Sequence, residues 1–425
     1  MNKKYPYWYR PRPSVIARRF LCRENPGLKE LRKWLFWAWW AKPRTPLERI
    51  ASIWNLFLLP AIRIKGCLQT LKAHGEEVHS VYGVNKTRQL FDLLRLAVGT
   101  DIDAITYYRY HLFQHDRRVK QREYLDQSGK LLQVLVQRLP KHDDDVIFSD
   151  KLAFEKWCAS KGLNAVKSYA VISNISEQNS SFFDADLPAN DLIAKPTRGR
   201  AGQGVTLWRY RSRSDHSVWE NLIEGKQLDA KDLIRHLHHS AVKSKTPYLL
   251  QPRLLNHPVL LSMGNGSLST VRIMTVQEKK EAPVFILAAA LRIPIGDIDV
   301  DNFDQGGLAS GIDLETGKCG LAIQKRGQYP LPFFDRNPIT KTIIKDQVLP
   351  YWKETIQLSI AAHQHLVTRI PIIGWDIAIL PDGPVLIEAN HLPGEQLVQM
   401  ASGIPLGSTR YPNVLCNALC EAFNI

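Results

Sequence analysis

The segment 374–394, GWDIAILPDGPVLIEANHLPG, constrains the fold of this chain more than any other part of its sequence. It reads as two apolar strands joined by a Pro-Asp-Gly turn, which is a hairpin signal. Asp376 lies on the first strand, and Glu388 and Asn390 lie on the second. Antiparallel pairing would bring the carboxylates face to face, and converging hard oxygen ligands suit Mg²⁺. The alternative is a polar hairpin tip with Asn390 in a turn.

Beyond Pro140, strand and helix patterns alternate in the way that is typical of a mixed sheet covered by helices. Asp150 is a candidate N-cap for a helix over 151–161, and a second helix is expected over 231–242. The strand candidates are 168–172, 192–195, 205–210, 248–251, 270–277, 284–292, 375–380 and 385–388. We therefore expect an α+β fold.

A glycine-rich loop follows the strand that ends in Lys195, in the segment LIAKPTRGRAGQGV. Gly199, Gly202 and Gly204 would let the backbone approach a polyphosphate closely, while Lys195 offers it a compact positive charge. The Walker pattern is different, because it ends in Lys followed by Ser or Thr and then a helix. A plain turn between two strands remains the alternative for this loop.

Two arginines fall inside apolar strands, Arg272 in STVRIMTVQ and Arg292 in VFILAAALRIPIG. A buried cation is costly without an anionic partner, so such a partner is expected near each guanidinium. Asn302, in the DVDNFDQGG segment that follows, would supply an amide donor near the same sheet. These three residues are candidates for binding an anion, and buried structural ion pairs are the alternative.

In this order, the segments resemble the ATP-grasp superfamily over residues 141–410. SDKLAFEKWCASKGLNAVKSYAV is similar to the opening of the family's nucleotide domain, with Lys151 at the first phosphate-binding lysine. IAKPTRGRAGQGV matches the second lysine, Lys195, and the family's flexible loop. YLLQPRL is similar to the strand between the two lobes, whose backbone meets the adenine. The resemblance thus assigns Leu250, Gln251 and Arg253 to the nucleotide, and Asp376, Glu388 and Asn390 to magnesium.

TVRIMT, LRIPIG and VDNFDQGG are most similar to the branch called sugar-transfer-associated ATP-grasp, which is named for its association with polysaccharide synthesis. Two departures affect the site. Gln251 stands where many members have an acidic residue, and Ile373 and Gly374 stand where several ligases place an arginine. Arg272 or Arg292 is the expected replacement for that arginine.

The resemblance implies two α+β lobes that grip ATP, and a ligase that uses ATP and Mg²⁺ to join a carboxylate to an amine through an acyl phosphate. In this branch the pair would be an amino acid and a sugar. Arg272, Arg292 and Asn302 would then act on the transferred phosphoryl group. Two alternatives use the same nucleotide residues: a phosphotransferase that acts on a hydroxyl, and a non-catalytic nucleotide- or anion-binding protein.

The amino-terminal region carries most of the positive charge. Residues 1–70 contain fifteen Lys or Arg and three Glu, a net charge of +12 within the chain's +15, and six of the eleven tryptophans. Basic residues interleaved with tryptophan suit a helix in the headgroup region of an anionic membrane. A helical arm that buries its tryptophans on the enzyme body is the alternative, and nucleic acid is not the expected partner.

These patterns predict three regions: a basic arm over 1–75, a helical domain over 76–140, and a catalytic core over 141–425 with a small lobe near 165–250. No secretory signal and no apolar run of about 20 residues is evident. We expect a cytoplasmic protein, either free or peripheral on the inner membrane face. We also expect the histidines at 236, 238, 239, 363 and 365 to be solvated. For 107–111, the interpretations are a substrate or lipid patch, core packing, or surface snorkelling.

Overall fold

The computed structural model of the protein describes residues 26–40, 45–100, 102–126, 128–173, 187–199, 203–212, 217–296, 303–325, 329–367 and 369–424. The α-helices in these ranges are α1 (Pro26–Trp40), α2 (Pro46–Tyr82), α3 (Lys86–Gly99), α4 (Ala104–Arg109), α5 (His115–Val119), α6 (Ser128–Arg138), α7 (Lys151–Ser160), α8 (Ala230–Ser244), α9 (Pro258–Met263), α10 (Trp352–Gln364), α11 (Glu395–Ser402) and α12 (Tyr411–Phe423). The strands are β1 (Ala170–Ile172), β2 (Leu192–Pro196), β3 (Thr206–Ser212), β4 (Ser217–Asn221), β5 (Gln227–Leu228), β6 (Tyr248–Pro252), β7 (Thr270–Gln277), β8 (Val284–Ile293), β9 (Leu308–Ile312), β10 (Cys319–Gln324), β11 (Phe333–Phe334), β12 (Ile372–Leu380) and β13 (Gly383–Asn390). The predicted α+β class is confirmed.

Two antiparallel sheets carry the chain beyond residue 140. The smaller has six strands in the order β1-β6-β2-β3-β4-β5, and the larger has seven in the order β11-β10-β9-β8-β7-β12-β13. Every predicted strand overlaps an observed one, and β7 has the predicted bounds. The predicted hairpin is formed by β12 and β13, which lie at one edge of the larger sheet.

Side-chain alternation along the larger sheet separates two apolar cores. Val271 and Ile273 of β7 point to the face that α7, α9 and α10 cover, whereas Met274 and Val276 belong to the core shared with the amino-terminal helices. A third core lies between the smaller sheet and α8. The period of two along β7 places Arg272 on the same face as Met274, so its guanidinium lies on the side of the sheet that the amino-terminal helices cover.

The described part of the arm packs on the enzyme body through α1. Leu28, Leu31 and Trp34 are buried against α6 and α12. Trp34 and Trp37 contact the ring of Phe423, with ring centroids 5.6 and 4.8 Å from it. Residues 1–25 lie outside the described ranges, and within the rest of the arm Cys67 of α2 is also buried in this core.

Helix α2 has well-formed ends and an exposed apolar surface near its start. Thr45 and Glu48 form a capping box, and Gly83 ends the helix with a φ of 70°. Leu47 and Trp54 are 79% and 65% exposed, and other apolar side chains up to residue 68 are also exposed. Among the described helices, none combines the length and the apolar composition needed to cross a membrane.

Several side chains that the sequence suggested for the surface are buried. Tyr107, Tyr108 and Tyr110 are fully buried, so core packing, the second interpretation of this segment, applies to all three. The prediction of solvated histidines is wrong for His238 and His363. His363 Nδ1 lies 2.6 Å from Thr275 Oγ1, and burial lowers the pKa of this imidazole to about 4. These are long-range contacts, which local polarity does not reveal.

Candidate active site

The hairpin of β12 and β13 brings the three predicted metal ligands to one end of the sheet. Asp376 is directly opposite Glu388, and Gly374 is directly opposite Asn390. A register shift follows Asp376 in the β12–β13 ladder. Cross-strand partners on one face lie about 4.5–5.5 Å apart at Cβ, so the two carboxylates are close enough to repel each other. An arrangement of this kind favours a cation between or beside them.

Arg272 and Arg292 both bind Asp376. Arg272 is opposite Asp376 in the β7–β12 ladder, and its Nε and Nη2 donate to the two carboxylate oxygens, the second at 3.0 Å. Arg292 Nη2 lies 3.0 Å from Asp376 Oδ2. Burial by itself would raise the pKa of Asp376, but the two guanidiniums lower it below its ordinary value. The expectation of an anionic partner for each arginine is therefore met by one shared carboxylate.

Glu388 differs from Asp376 in the described part of the chain, because Lys151, Arg272 and Lys195 act on its carboxylate electrostatically without a hydrogen bond. No described group donates a hydrogen bond to the Glu388 carboxylate, and the buried Asn390 Nδ2 also has no partner. Burial and the charge of Asp376 raise the pKa of Glu388, which means that its anionic form gains from an added cation. These two side chains fit a hard divalent cation. The fit is less direct for Asp376, because both of its oxygens already accept from arginine.

The described residues hold no cluster of three or more His, Cys, Asp or Glu side chains arranged as a complete metal site. This agrees with the donor set at the hairpin, which has two carboxylates and one amide. Magnesium keeps several water or phosphate oxygens among its ligands and uses one or two carboxylates. The residues at the hairpin therefore fit a magnesium that is bound together with a nucleotide.

Lys151 begins α7 beside the glycine loop. Its Nζ donates to Gly199 O at 3.2 Å. Asp150 is the predicted N-cap and accepts two backbone N–H groups of the first turn, at 3.0 and 3.1 Å. Arg198 Nε also donates to Asp150, at 3.1 Å. These contacts hold the start of α7 and the glycine loop together.

Lys195 lies on β2, where it faces the cleft between the two sheets. Burial lowers the pKa of its ammonium to about 8, with a further contribution from Lys151. Glu388 and Glu155 act in the opposite direction. The Lys195 ammonium therefore loses its proton at a lower pH than an ordinary lysine does, and a bound anion would favour the charged form.

The glycine loop has two residues with left-handed backbone conformations. The φ angles are 141° at Gly199 and 74° at Gly204, which side chains other than glycine rarely adopt. A Cβ on Gly204 would also lie 2.9 Å from the hydroxyl of Tyr248. Gly202 lies outside the described ranges. The two described glycines thus allow the chain to turn tightly beside Lys195.

A cavity of about 120 Å³ occupies the cleft between the sheets. It is lined by Lys195, Gln251 and Arg253 together with apolar side chains from both lobes. Arg253 Nη1 donates to Asp191 at 3.1 Å, and Gln251 Nε2 donates to Ser168 Oγ at 3.1 Å. These bonds fix two of the predicted nucleotide residues at the wall of an apolar slot suited to a planar base.

The side chain of one predicted residue, Leu250, does not line this cavity. The Leu250 side chain is buried in the core of the smaller sheet, and its carbonyl accepts the Tyr169 N–H at 2.8 Å. Its backbone is therefore engaged by the sheet, since β6 has β1 and β2 as neighbours. Asn302 lies outside the described ranges.

A larger cavity, of about 570 Å³, lies between the amino-terminal helices and the larger sheet. Arg272 and Arg292 line it from the sheet, and Arg109 and Lys130 line it from the helical segment. Lys325 contributes a fifth positive charge. No local motif in the sequence marks Lys130 or Lys325, whereas Arg109 belongs to the segment 107–111, for which a substrate patch is one interpretation.

In a comparison with known protein families, residues 133–410 match the family described as sugar-transfer associated ATP-grasp. This range is about two thirds of the chain. No curated protein matched the sequence.

Several solved structures align with the chain at low identity. D-alanyl-alanine synthetase A from Vibrio cholerae aligns at 10% identity and a TM-score of 0.40, covering 67% of each chain. D-cycloserine synthetase aligns at 12% identity and a TM-score of 0.38, covering 76% of this chain and 82% of the other. D-alanine–D-alanine ligase from Bacillus anthracis aligns at 12% identity and a TM-score of 0.36, covering 66% of this chain and 70% of the other. The family assignment rests on the sequence model.

Proposed function

Since the chain belongs to the sugar-transfer-associated ATP-grasp family, we propose that it is an ATP- and magnesium-dependent ligase that joins a carboxylate to an amine. The observation that carries this proposal is the position of the carboxylate pair at the hairpin. Glu388 interacts electrostatically with Lys195, which lines the cleft cavity, and with Arg272, which lines the larger cavity. A nucleotide in the first cavity and an acceptor in the second would meet at this point.

The nucleotide would be held by the residues around the cleft. Its base enters the slot beside Gln251 and Arg253, and Lys151 and Lys195 neutralise phosphate charge. The loop from Gly199 to 204 covers the phosphates and keeps water away from them. Glu388 and Asn390, with Asp376 beside them, would hold magnesium, which would supply charge neutralisation at the phosphates.

The acceptor carboxylate would be held by Arg272 and Arg292, at the end of the cavity nearest the hairpin. Asp376 keeps both guanidiniums in place, and they stabilise the negative charge that develops as a carboxylate oxygen attacks the γ-phosphorus. An oxygen–phosphorus bond forms, the bond to the β-phosphate oxygen breaks, and ADP leaves. An amine then attacks the acyl carbon, phosphate departs with the carbon–oxygen bond electrons, and the amine proton passes to solvent. Catalysis here is positioning and electrostatics, so no nucleophilic side chain is required.

The family's description as sugar-transfer associated supports a sugar as one partner. We propose an amino acid as the other partner and polysaccharide synthesis as the role. A uronic acid amidated by an amino acid and an amino sugar acylated by one are the two possible pairs. Both place a carboxylate at Arg272 and Arg292.

The test is ATP turnover with Mg²⁺ and a pool of amino acids, uronic acids and amino sugars, with products followed by phosphorus NMR. Wild type is compared with Glu388→Ala and with Glu354→Ala, a matched substitution at an exposed position of α10. We expect ADP and free phosphate to form only when both a carboxylate and an amine are present. Glu388→Ala should abolish their formation, and Glu354→Ala should not. A new phosphate ester would instead identify a phosphotransferase, and absence of turnover with every mixture would favour a nucleotide- or anion-binding protein.

We further propose that the amino-terminal region attaches the enzyme to an anionic membrane surface. Three features support this: the net charge of +12 in residues 1–70, the 79% exposure of Leu47 and the 65% exposure of Trp54. Apolar side chains beside basic ones suit the headgroup region. A glycan on a lipid carrier would be a fitting substrate for an enzyme held there.

Point substitutions are the right test of attachment, because truncation of residues 1–70 would also remove the buried helix α1. Sedimentation with phosphatidylglycerol vesicles should fall for Leu47→Ser/Trp54→Ser, and it should not change for Val119→Ser, which removes another exposed apolar side chain. Equal sedimentation of wild type with phosphatidylglycerol and phosphatidylcholine vesicles would refute the role of charge.

A further inference from the structure

The larger cavity has walls from two parts of the chain that are far apart in sequence. Arg272 and Arg292 come from the sheet, whereas Arg109 ends α4 and Lys130 lies in the first turn of α6. The sheet contribution is explained by the acceptor carboxylate of the proposed reaction. The helical contribution is not, because the proposed reaction needs only one carboxylate held at the hairpin.

The side chains that line this cavity carry an excess of positive charge. They include five basic residues and two acidic ones, Asp126 and Glu395, and the Asp376 carboxylate that Arg272 and Arg292 share lowers the net charge from +3 to +2. Asp126 is already engaged, because it accepts from Gln396 Nε2 at 2.8 Å and from Thr106 Oγ1 at 3.0 Å. Arg109 Nη1 forms an ion pair with Asp126 Oδ1 at 3.9 Å, and the Arg109 side chain also forms a hydrogen bond with Tyr329 at the cavity wall. Such an excess in a cavity of about 570 Å³ favours an anionic ligand.

Two helix starts add to this field. The first turn of α6 contributes Gly129 and Lys130 to the cavity wall, and the first turn of α11 contributes Glu395 and Gln396. The backbone N–H groups at a helix start carry partial positive charge. A Cβ on Gly129 would lie 2.8 Å from Glu395 Oε2, so the Glu395 carboxylate lies against the start of α6 and offsets part of this charge.

We propose that the helical segment forms a second anion subsite, and that the acceptor is a sugar derivative with two anionic groups. This proposal rests on the proposed ligase function. The reacting carboxylate lies at Arg272 and Arg292, and the other anionic group, a phosphate ester or a second carboxylate, lies at Arg109 and Lys130. A cavity of this size accommodates a sugar with both groups. The amino-terminal helices are then part of the substrate site.

Calorimetry on the full chain with three probes tests the subsite. Glucuronic acid carries one carboxylate, glucuronic acid 1-phosphate adds a phosphate, and galactaric acid has two carboxylates. Wild type is expected to bind at least one of the doubly anionic probes about ten-fold or more tightly than glucuronic acid. Preference for the sugar phosphate identifies a phosphate group, and preference for galactaric acid identifies a second carboxylate. Equal affinity for all three probes overturns the proposal.

The variants locate the binding site. Arg109→Gln/Lys130→Gln should remove the ten-fold preference and leave glucuronic acid binding unchanged. Arg95→Gln/Lys120→Gln removes the same charges from exposed positions of the helical region and should retain the preference. Lys130 is exposed, so Lys130→Glu alone tests the subsite if the double variant does not fold. The proposal is overturned if Lys130→Glu and a folded double variant both still prefer the doubly anionic probe.

A parallel titration with a fluorescent ATP analogue separates this inference from the ligase proposal. Lys195→Met should lose nucleotide binding and keep the preference for two anionic groups. Nucleotide binding without that preference would overturn the second subsite alone. The preference without any nucleotide binding would overturn the ligase alone.

Discussion

Raising the pH from 7 to 9 should weaken nucleotide binding through Lys195. Burial, assisted by Lys151, lowers the pKa of this ammonium to about 8 in the free protein. About nine-tenths of the ammonium is charged at pH 7 and about one-tenth at pH 9. If phosphate binds the charged form, the apparent dissociation constant rises about ten-fold across this range, which corresponds to about 1.4 kcal/mol.

The assay is titration with a fluorescent ATP analogue at pH 7, 8 and 9, with Mg²⁺ in excess. Lys195→Arg keeps its charge throughout and should show no such change. Lys156→Arg, an exposed position on α7, should behave as wild type does. Equal affinity of wild type at pH 7 and 9, or the same pH dependence in Lys195→Arg, would refute the reasoning.

Raising the pH should weaken nucleotide binding at Lys195 but increase the contribution of Lys195 to the stability of the protein. The pKa of this lysine lies below the ordinary value of 10.5, so between pH about 8 and 10.5 the unfolded chain binds a proton that the folded chain has lost. The contribution of Lys195 to the free energy of unfolding therefore rises with pH across this window. Denaturant unfolding of wild type and Lys195→Met measures the difference.

Three substitutions test the remaining packing and charge arguments. Asp376→Asn should lower the free energy of unfolding by about 3–5 kcal/mol, because two buried guanidiniums lose their shared anion. A loss of less than about 1 kcal/mol in urea unfolding would contradict this. Glu388→Gln should keep or raise the free energy of unfolding, because burial and Asp376 disfavour this carboxylate. The same variant should lose magnesium-dependent nucleotide binding in the fluorescence titration. A large loss of stability would contradict the charge argument. Gly311→Ala should cost about 1–3 kcal/mol, because a Cβ there lies 2.4 Å from Ser402 Cα, whereas Gly66→Ala, which has open space, should not be destabilising.

The sheet was predictable from the sequence because its signals are local. Apolar runs bounded by turn residues located β7, β12 and β13, and the glycine loop and its lysine were visible as short motifs. The need of Arg272 and Arg292 for an anion was also readable, since both lie inside apolar strands. That Asp376 serves both arginines was not readable, because three strands distant in sequence must first pair.

The wall of the larger cavity was also beyond sequence reasoning. Lys130 lies in a polar helix start and Lys325 follows a strand, and neither position has a local motif. The burial of Tyr107, Tyr108 and Tyr110 depends on neighbours from several helices. In the same way His363 looks exposed by composition, but it is covered because α10 packs across the sheet.

The packing of α1 on α12 has a consequence for biosynthesis. A Cβ on Gly27 would lie 1.9 Å from Asn413 Oδ1, so the two helices approach closely. Tyr411 is translated about 370 residues after Trp40, which takes roughly 20–70 s at the usual 5–20 residues per second. During that interval α6 can cover part of the apolar face of α1, but the part that packs on α12 has no partner until α12 is synthesised. Nascent chains of this protein therefore need to be kept from aggregating until α12 emerges, and docking of α1 on α12 is among the last steps of folding.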